Sequence, residues 1–446
     1  MTHCLSMFIQ VNTIKDIESK ENHQIETSIE SASSHLPASE INTQLKIATF
    51  NLFNYLEPPN AYYDFDRIYS AEQWAKKQNW ISAYLKEYQP HIIGFQEVFS
   101  PESLKDLVAE QGYKYFAVVD EPEVIDDFIY RSPVVAIASR FPIVEIATVK
   151  PNLELAQTLG LTNEFSFSRQ VIRATIDVPH IGNSDCYVVH FKSKRSMLSV
   201  EEQENNWSPE KTIIESLKAN IAGGWGSTIQ RGSEATLLMI EMIARREATD
   251  HPMVLMGDFN NTLSDGVLSH LLTDDLRFVS SIDKDAYLAQ YCLKDAWDLF
   301  EAFTQNEHAS ENSRLETDTN SLTDEKSQAS EIAENTDSNK LIDKNESAVA
   351  IEDSDTNLID NPLIANKTAD ANQLAPARTP THYYGASNSV LDYILLSCEF
   401  DAGYHDSLYQ VSDYHTYDRH LINPIFDRDG ESTDHGVVSV TLTLRS

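Results

Sequence analysis

Positive charge is what this sequence has least of. Its 446 residues hold 34 Lys and Arg against 69 Asp and Glu, a formal net charge of −35. A protein built to coat nucleic acid is therefore excluded, because neutralising a phosphate backbone requires surplus Lys and Arg. With only 14 glycines and no sustained heptad pattern, the chain is neither collagen-like nor a coiled coil. Its cysteines (Cys4, Cys186, Cys292 and Cys398) are far apart and form no CxxC pair. That spacing argues against a disulfide framework and against a zinc site, and leaves reduced thiols as the expectation. No apolar run approaches the ~20 residues of a membrane span. The apolar segment 5–11 is broken by Ser6 and Gln10, lacks a basic flank before it and a small-residue cleavage site after it. A cytoplasmic location, no stable membrane association and a monomeric state are the resulting expectations.

What is present is an ordinary globular balance, 41% hydrophobic and 23% charged, with the charge unevenly placed. Residues 1–44 carry two bases, Lys15 and Lys20, against six acids, in a Ser-, Thr-, Asn- and Glu-rich setting without periodicity. Residues 304–375 carry 16 acids against five bases, and no aromatic residue lies between Phe303 and Tyr383. Such segments cannot bury enough apolar surface to offset chain entropy of roughly 1–2 kcal/mol per residue. Both are expected to be disordered: an acidic tail over 1–44, and an acidic insertion over 304–375 interrupting a domain that spans 45–446. Loop-closure cost rises slowly with length, so a fold tolerates such an insertion. Length alone suggests about three domains. Without the two acidic segments, about 330 residues remain, enough for one large domain or two small ones.

Periodicity predicts alternating strands and helices. Residues 45–52 alternate apolar and polar as a half-buried strand does. Trp74, Ile81, Tyr84, Leu85 and Tyr88 recur at helical spacing before Pro90. A buried strand, 92–96, ends on Glu97. Ser100-Pro101-Glu102 then reads as N-cap, first helical position and first turn of a second helix. Further strands are predicted over 113–119, 134–139, 171–178, 186–191, 253–256, 390–396 and 437–444, with a helix over 234–246 and a long loop over 197–231. The early strand–helix–strand–helix order points to an α/β protein with a mixed sheet or two stacked sheets.

Several of these strands end on an amide or an acid: Asn51, Glu97, Asp258, and Asp434-His435 before the last strand. Ligand sites of layered α/β proteins gather at strand ends, where side chains from distant positions converge. Carboxylates plus an amide, without a Cys/His cluster, make a hard oxygen site suited to Mg²⁺ or Mn²⁺ acting on phosphate oxygens. In Met256-Gly257-Asp258-Phe259-Asn260, Asp258 and Asn260 fall on one side of an extended chain. One can orient a water while the other stabilises developing charge; an Asx turn ending a strand is the bland alternative. His435 beside a carboxylate can act as base or phosphate contact once another acid orients its ring. Asp392, a polar intrusion in the apolar run 390–394, could be that acid. His190 closes another apolar run and could equally be a core histidine. Lys192, Lys194 and Arg195 follow it, and residues 149–195 carry six bases against four acids, a local reversal of sign that would draw phosphate.

Taken together and in order, these segments resemble the endonuclease/exonuclease/phosphatase superfamily, the deoxyribonuclease-I-like hydrolases. The resemblance rests on Ala48-Thr49-Phe50-Asn51, Gln96-Glu97, residues 138–143, Ser168-Arg169, His190, Gly257-Asp258-Phe259-Asn260, residues 390–394 and Thr433-Asp434-His435. It implies a four-layer α/β/β/α sandwich of two mixed sheets and Mg²⁺-dependent phosphoester hydrolysis, with Mn²⁺ as a substitute. Glu97 would hold the metal, with Asn51 and Asp434 assisting. His190 and His435 would contact the scissile phosphate, with Asp392 orienting His435. Asp258 would position or deprotonate water, and Asn260 would stabilise charge. Arg169, Lys192 and Tyr130 would bind substrate phosphate. Gln170-Val171 stands where the family has Glu-Pro, which puts that segment's metal or hydrogen-bonding role in doubt. The implied activity is a nuclease on DNA or RNA. The alternative is a phosphatase or phosphodiesterase on an inositol phosphate or sphingomyelin-like ester, although Met256-Gly257 does not match the usual phosphatase segment. A non-catalytic scaffold is the third reading, opposed by the presence of every polar strand-end residue at once.

Overall fold

Apolar alternation along the strands decides the layering. The computed structural model describes residues 44–200, 207–274, 284–307, 377–384, 387–422 and 433–445. These belong to one compact unit, Thr43–Ser446. In chain order its elements begin with β1 (Gln44–Tyr55), β2 (Ala61–Tyr62), α1 (Ala71–Tyr88), β3 (Ile92–Val98), α2 (Pro101–Glu110), β4 (Tyr115–Ala117), β5 (Glu123–Ile125), β6 (Ile129–Ser132) and β7 (Val134–Ser139). There follow β8 (Ile143–Thr148), α3 (Leu153–Thr158), β9 (Ile172–Val178), β10 (Gly182–His190), α4 (Pro209–Thr249), β11 (Met253–Asp258), α5 (Lys284–Ala289), β12 (Lys294–Asp295) and α6 (residues 296–307). The last elements are β13 (His382–Tyr384), β14 (Ser387–Ser389), β15 (Asp392–Leu396), β16 (Tyr409–Tyr417), α7 (Arg419–Ile422) and β17 (Val437–Leu444).

Two six-stranded sheets form, in the orders β16-β17-β1-β3-β7-β4 and β12-β15-β11-β10-β9-β8. Both are mixed: β1 runs parallel to β3 and antiparallel to β17, and β11 runs parallel to β10 and antiparallel to β15. Leu45 and Ile47 of β1, Ile92 of β3, Cys186 and Val188 of β10, Val254 and Met256 of β11, and Ile394 and Leu396 of β15 pack together between the sheets. The intervening side chains face outward. Ala48, Phe50, Ile93 and Phe95 meet Trp74, Ile81 and Leu85 of α1 and Leu104 and Leu107 of α2. On the other sheet, Tyr187, Val189, Met253, Leu255 and Leu395 meet Ala235, Leu238, Met239 and Met242 of α4. The result is the expected α/β/β/α sandwich. Each fully buried aliphatic side chain stabilises it by roughly 1.5–3 kcal/mol. α1 starts on a complete capping box, with Ser70 and Gln73 each bonding the other's backbone N–H.

Some expectations are corrected. The predicted loop over 197–231 is mostly helix, because α4 begins at Pro209 and runs 41 residues through the predicted 234–246 segment. Its N-cap is Ser208, whose side chain accepts from Lys211 N. Ser100 precedes α2 but makes no capping bond; its Oγ instead accepts from Glu57 N at 2.8 Å. Gln44 already belongs to β1, and residues 304–307 continue α6, so the boundaries expected at 44 and 304 shift. The rest of the expected tail and insertion, residues 1–43 and 308–376, lies outside the described residues.

The two described flanks of the insertion are tied together. Arg378 pairs with Asp295, immediately before α6, and its guanidinium lies 4.8 Å from the Tyr393 ring centre and 5.2 Å from that of Tyr414. That contact holds the two described ends of the insertion near one another, and loop-closure cost rises only slowly with the length between them. Replacing residues 308–376 by a short Gly/Ser linker is expected to leave the thermal midpoint and kcat/KM essentially unchanged. Loss of turnover in a folded deletion variant would assign the insertion a role in activity.

Candidate active site

The apolar alternation between the sheets continues to one end of the sandwich, where polar side chains take over the inward positions. Met256 is followed two residues on by Asp258, Val188 by His190, and Ile394 is preceded by Asp392. His190 and Asp258 are register partners on β10 and β11, and Asp258 and Asp392 are partners on β11 and β15. The three therefore form a row across neighbouring strands. From the facing sheet, Asn51 of β1 donates its Nδ2 to Asp258 Oδ2 at 3.1 Å, and His435, just before β17, sets Nδ1 2.8 Å from Asp392 Oδ2. His190 Nε2 and His435 Nε2 lie 3.5 Å and 3.8 Å from the same Asp258 oxygen. Asp258 Oδ2 is the point on which the cluster converges. All five residues are at least nine-tenths buried.

Backbone geometry aims these groups. Gly257 has φ +149°, and a Cβ there would stand 2.0 Å from Val189 O, so only glycine lets β11 meet β10 this closely. Asn260 has φ +54°; its backbone N donates to Asp258 Oδ1 at 2.8 Å and its Nδ2 to Phe191 O at 2.9 Å. Glu97 has φ +59°, which departs from the strand geometry of β3 just where Phe53 and Asn54 (φ +49° and +56°) interrupt β1. Asn54 N then donates to Glu97 Oε2 at 2.9 Å. Left-handed non-glycine residues gathered at one place are a recurrent mark of functional sites.

Burial and charge set the protonation of the cluster. Burial would lower the His435 pKa, but the carboxylates of Asp392 and Asp258 outweigh it and hold the imidazole well above its ordinary value. Burial keeps His190 well below its own, with Arg169 adding to the effect. Burial also pushes Asp258 up to about 7, against the pull of His435. The arrangement thus pairs a charged imidazole at His435 with a neutral one at His190. If Asp392 is replaced by Asn, the His435 pKa is expected to fall. A donor role for protonated His435 is lost as pH rises through that pKa, so the basic limb of the pH–rate profile should move to lower pH in Asp392→Asn. An unmoved limb would separate His435 ionisation from turnover.

A family model describing the Endonuclease/Exonuclease/phosphatase family matches residues 48–413. The chain belongs to that family. Its members hydrolyse phosphoester bonds. The match stops before Thr433, yet the fold completes the cluster: Thr433 Oγ1 donates to Asn51 O at 2.6 Å and accepts from His435 N at 3.1 Å. No curated protein matches the chain. Solved structures similar to it include the human Nocturnin catalytic domain with bound sulfate, 14% identical, TM-score 0.42, covering 91% of this chain and 97% of that one. Truncated Caenorhabditis elegans TDP2 is 10% identical with TM-score 0.42, covering 90% and 97%. An endonuclease/exonuclease/phosphatase from Beutenbergia cavernae is 14% identical with TM-score 0.39, covering 90% and 72%.

The donor chemistry fits the divalent cation such hydrolases generally use. Burial raises the Glu97 pKa and the neighbouring Asp434 charge raises it further, an effect only partly offset by His435, the Asn54 N–H and Arg169. Asn54 Oδ1 and Asp434 Oδ1 are buried oxygens with no hydrogen-bond partner among the described residues. Oxygen donors around like charges suit a hard cation. Imidazole-containing donor groups also lie close, His382 with Asp434 and His435, and Asp258 with Asp392 and His435, each within 4.8 Å.

Of the three expected phosphate contacts, Arg169 and Lys192 act electrostatically on the cluster, both lowering the His190 pKa. Arg169 contributes to the field at Glu97 and His190, and half-buried Lys192 lies among Arg169, Arg231 and Arg195. Tyr130 sits on β6, and no contact among the described residues joins it to the cluster. Its carbonyl accepts from Tyr63 N at 2.8 Å, and its ring packs 6.3 Å from Phe99. Burial, then the Glu97 charge, push the hydroxyl of Tyr63 up to about 12.

Other residues went unnoticed in the sequence. Thr381 Oγ1, buried just past the insertion, accepts from Leu391 N at 2.9 Å and Asp392 N at 3.2 Å, bracing the start of β15. Glu234 of α4, 1% exposed, accepts from both Ser168 N and Lys192 N at 2.7 Å. It clamps the segments carrying Arg169 and Lys192, and Arg231 Nη1 donates to Lys192 O at 2.9 Å beside it. In the sequence Glu234 is one more polar residue on a helix, with nothing to distinguish it. Glu234→Ala is expected to raise KM about 10-fold or more with a smaller change in kcat, since it loosens phosphate positioning. Glu234→Gln should recover only part, because the amide retains one acceptor oxygen. An unchanged KM in a folded Glu234→Ala protein would remove this positioning role.

Proposed function

We propose that the protein is a Mg²⁺-dependent phosphodiesterase, with Mn²⁺ as a substitute, that cleaves DNA or RNA. The observation supporting this most strongly is the convergence of Asn51, His190 and His435 on one oxygen of Asp258 from both sheets. Glu97, Asn51 and Asp434 would hold the cation, which when bound supplies positive charge to the phosphoryl oxygens. Asp258, with Asn260 fixing its carboxylate, would orient the attacking water and accept its proton. Protonated His435 would donate Nε2–H to a phosphoryl oxygen, its Nδ1 held by Asp392. His190 would donate a second hydrogen bond. Charge accumulates on those oxygens in the transition state, and donors fixed in a water-poor site stabilise it without reorganisation.

A nucleic acid substrate is favoured by the basic rim of Arg169, Lys192, Lys194 and Arg195, which reverses the sign of an otherwise acidic chain. Incubation with plasmid, single-stranded DNA and RNA, each with Mg²⁺ and with EDTA, tests the reading. Cation-dependent cleavage of at least one nucleic acid is expected. Intact nucleic acids alongside hydrolysis of an inositol phosphate or sphingomyelin would replace the nuclease reading with the small-phosphoester one.

A further inference from the structure

The first half of α4 presents an apolar face that no described residue covers. Ile213, Ile214, Leu217, Ile221 and Trp225 are between 52% and 68% exposed. At 3.6 residues per turn they share one side of the helix, and Ile213, Leu217, Ile221 and Trp225 form a single row spaced by four. The other side is already packed. Ser196 Oγ donates to Ala219 O at 3.1 Å, and a Cβ on Gly223 would stand 2.0 Å from Ser196 Oγ. The helix is therefore anchored through its small residues while its large apolar ones point away.

The size of this face and its internal symmetry indicate what covers it. Its five side chains expose on the order of 700 Å², above the ~300–600 Å² of the largest patch on a typical monomer and near the ~800 Å² each partner gives to a standard interface. Two such helices, set antiparallel about a two-fold axis at residue 219, bring Ile213 opposite Trp225 of the other copy and Leu217 opposite Ile221. Ile214 then meets Gly224, a position without a side chain. Charge on this half is balanced within it: Glu210 adjoins Lys211, and Lys218 pairs with Glu215 at 2.9 Å. Two copies thus meet without local repulsion despite the net charge of −35. A helix lying on anionic lipid would carry surplus Lys and Arg, which this one lacks.

We propose that this face joins two copies of the chain through an antiparallel pair of α4 helices, in place of the monomer suggested by the sequence. The inference is independent of the catalytic reading. Its test is the solution mass of the full chain by light scattering and sedimentation at micromolar concentration, for the wild type, Ile221→Glu and Leu217→Glu. A mass twice that of the 50.4 kDa chain is expected for the wild type and a single-chain mass for both variants, each still unfolding in one cooperative transition but with a midpoint that no longer depends on protein concentration. Because both side chains are exposed, the substitutions leave the core intact. A wild-type monomer at 100 µM, or a dimer indifferent to both variants, would overturn the proposal. So would a monomer that binds phosphatidylcholine or phosphatidylglycerol vesicles through this face, which would assign it to a lipid surface.

Discussion

Replacing His435 by Ala is expected to lower kcat/KM by about 10²- to 10⁴-fold while leaving the fold intact. His435 is 6% exposed, and its Nδ1 is held 2.8 Å from Asp392 Oδ2. That hydrogen bond fixes the ring so that Nε2 lies 3.8 Å from Asp258 Oδ2. The neighbouring carboxylates keep the imidazole charged, which makes it a strong donor to an oxygen gaining negative charge. Because this interaction strengthens as charge develops, its removal should depress kcat more than it raises KM. The substitution also leaves Asp392 buried without its imidazole, and Thr381 still holds the Asp392 backbone. A structural role alone would instead appear as lowered thermal stability with turnover per folded molecule preserved. Full turnover in a folded His435→Ala protein would take the residue out of the chemistry.

Glu97→Ala should be as damaging for a different reason. The half-buried Glu97 carboxylate lies beside Asp434, and burial and that neighbour disfavour its ionised form more than His435 and the Asn54 N–H favour it. A side chain held in this state costs stability, and left-handed backbone at a non-glycine residue costs about 1–3 kcal/mol more. Such costs are tolerated where function requires them. Removing the carboxylate relieves the repulsion, so the cation-free variant is expected to be as stable as the wild type or more so, while cation affinity and turnover collapse. Mn²⁺ titration by calorimetry reads the first consequence and substrate hydrolysis the second. Undiminished Mn²⁺ affinity in Glu97→Ala would place the cation elsewhere, and the close donors His382, Asp434 and His435 would then be the first alternative to examine.

The sheets and the buried polar cluster were legible in the sequence because both follow from a period of two. β7 and β17 match their predicted ranges, and the inward positions of β10, β11 and β15 lead directly to His190, Asp258 and Asp392. What the sequence concealed lacks a period or lacks contrast. The first half of α4 carries Gly223, Gly224 and Gly226 beside an exposed apolar row, so it looked like a loop when it is a helix. Strands of two to four residues, such as β2, β5 and β6, are too short to show alternation. Glu234 and Thr381 act through backbone N–H groups distant in sequence, which no local pattern reveals. Tyr63 sits in a left-handed turn at φ +65°, where periodicity says nothing of its surroundings.

The central claim is that side chains from both sheets form a cation-dependent phosphodiesterase at one end of the sandwich. The most direct measurement is hydrolysis of single-stranded DNA, RNA and bis(p-nitrophenyl) phosphate by the full chain in Mg²⁺ or Mn²⁺, after EDTA, and after the cation is restored, with Glu97→Ala alongside. Hydrolysis that vanishes with EDTA, returns with the cation and is absent in Glu97→Ala is the expected result. Hydrolysis indifferent to EDTA, or none of any phosphodiester by the folded wild type, would contradict the account.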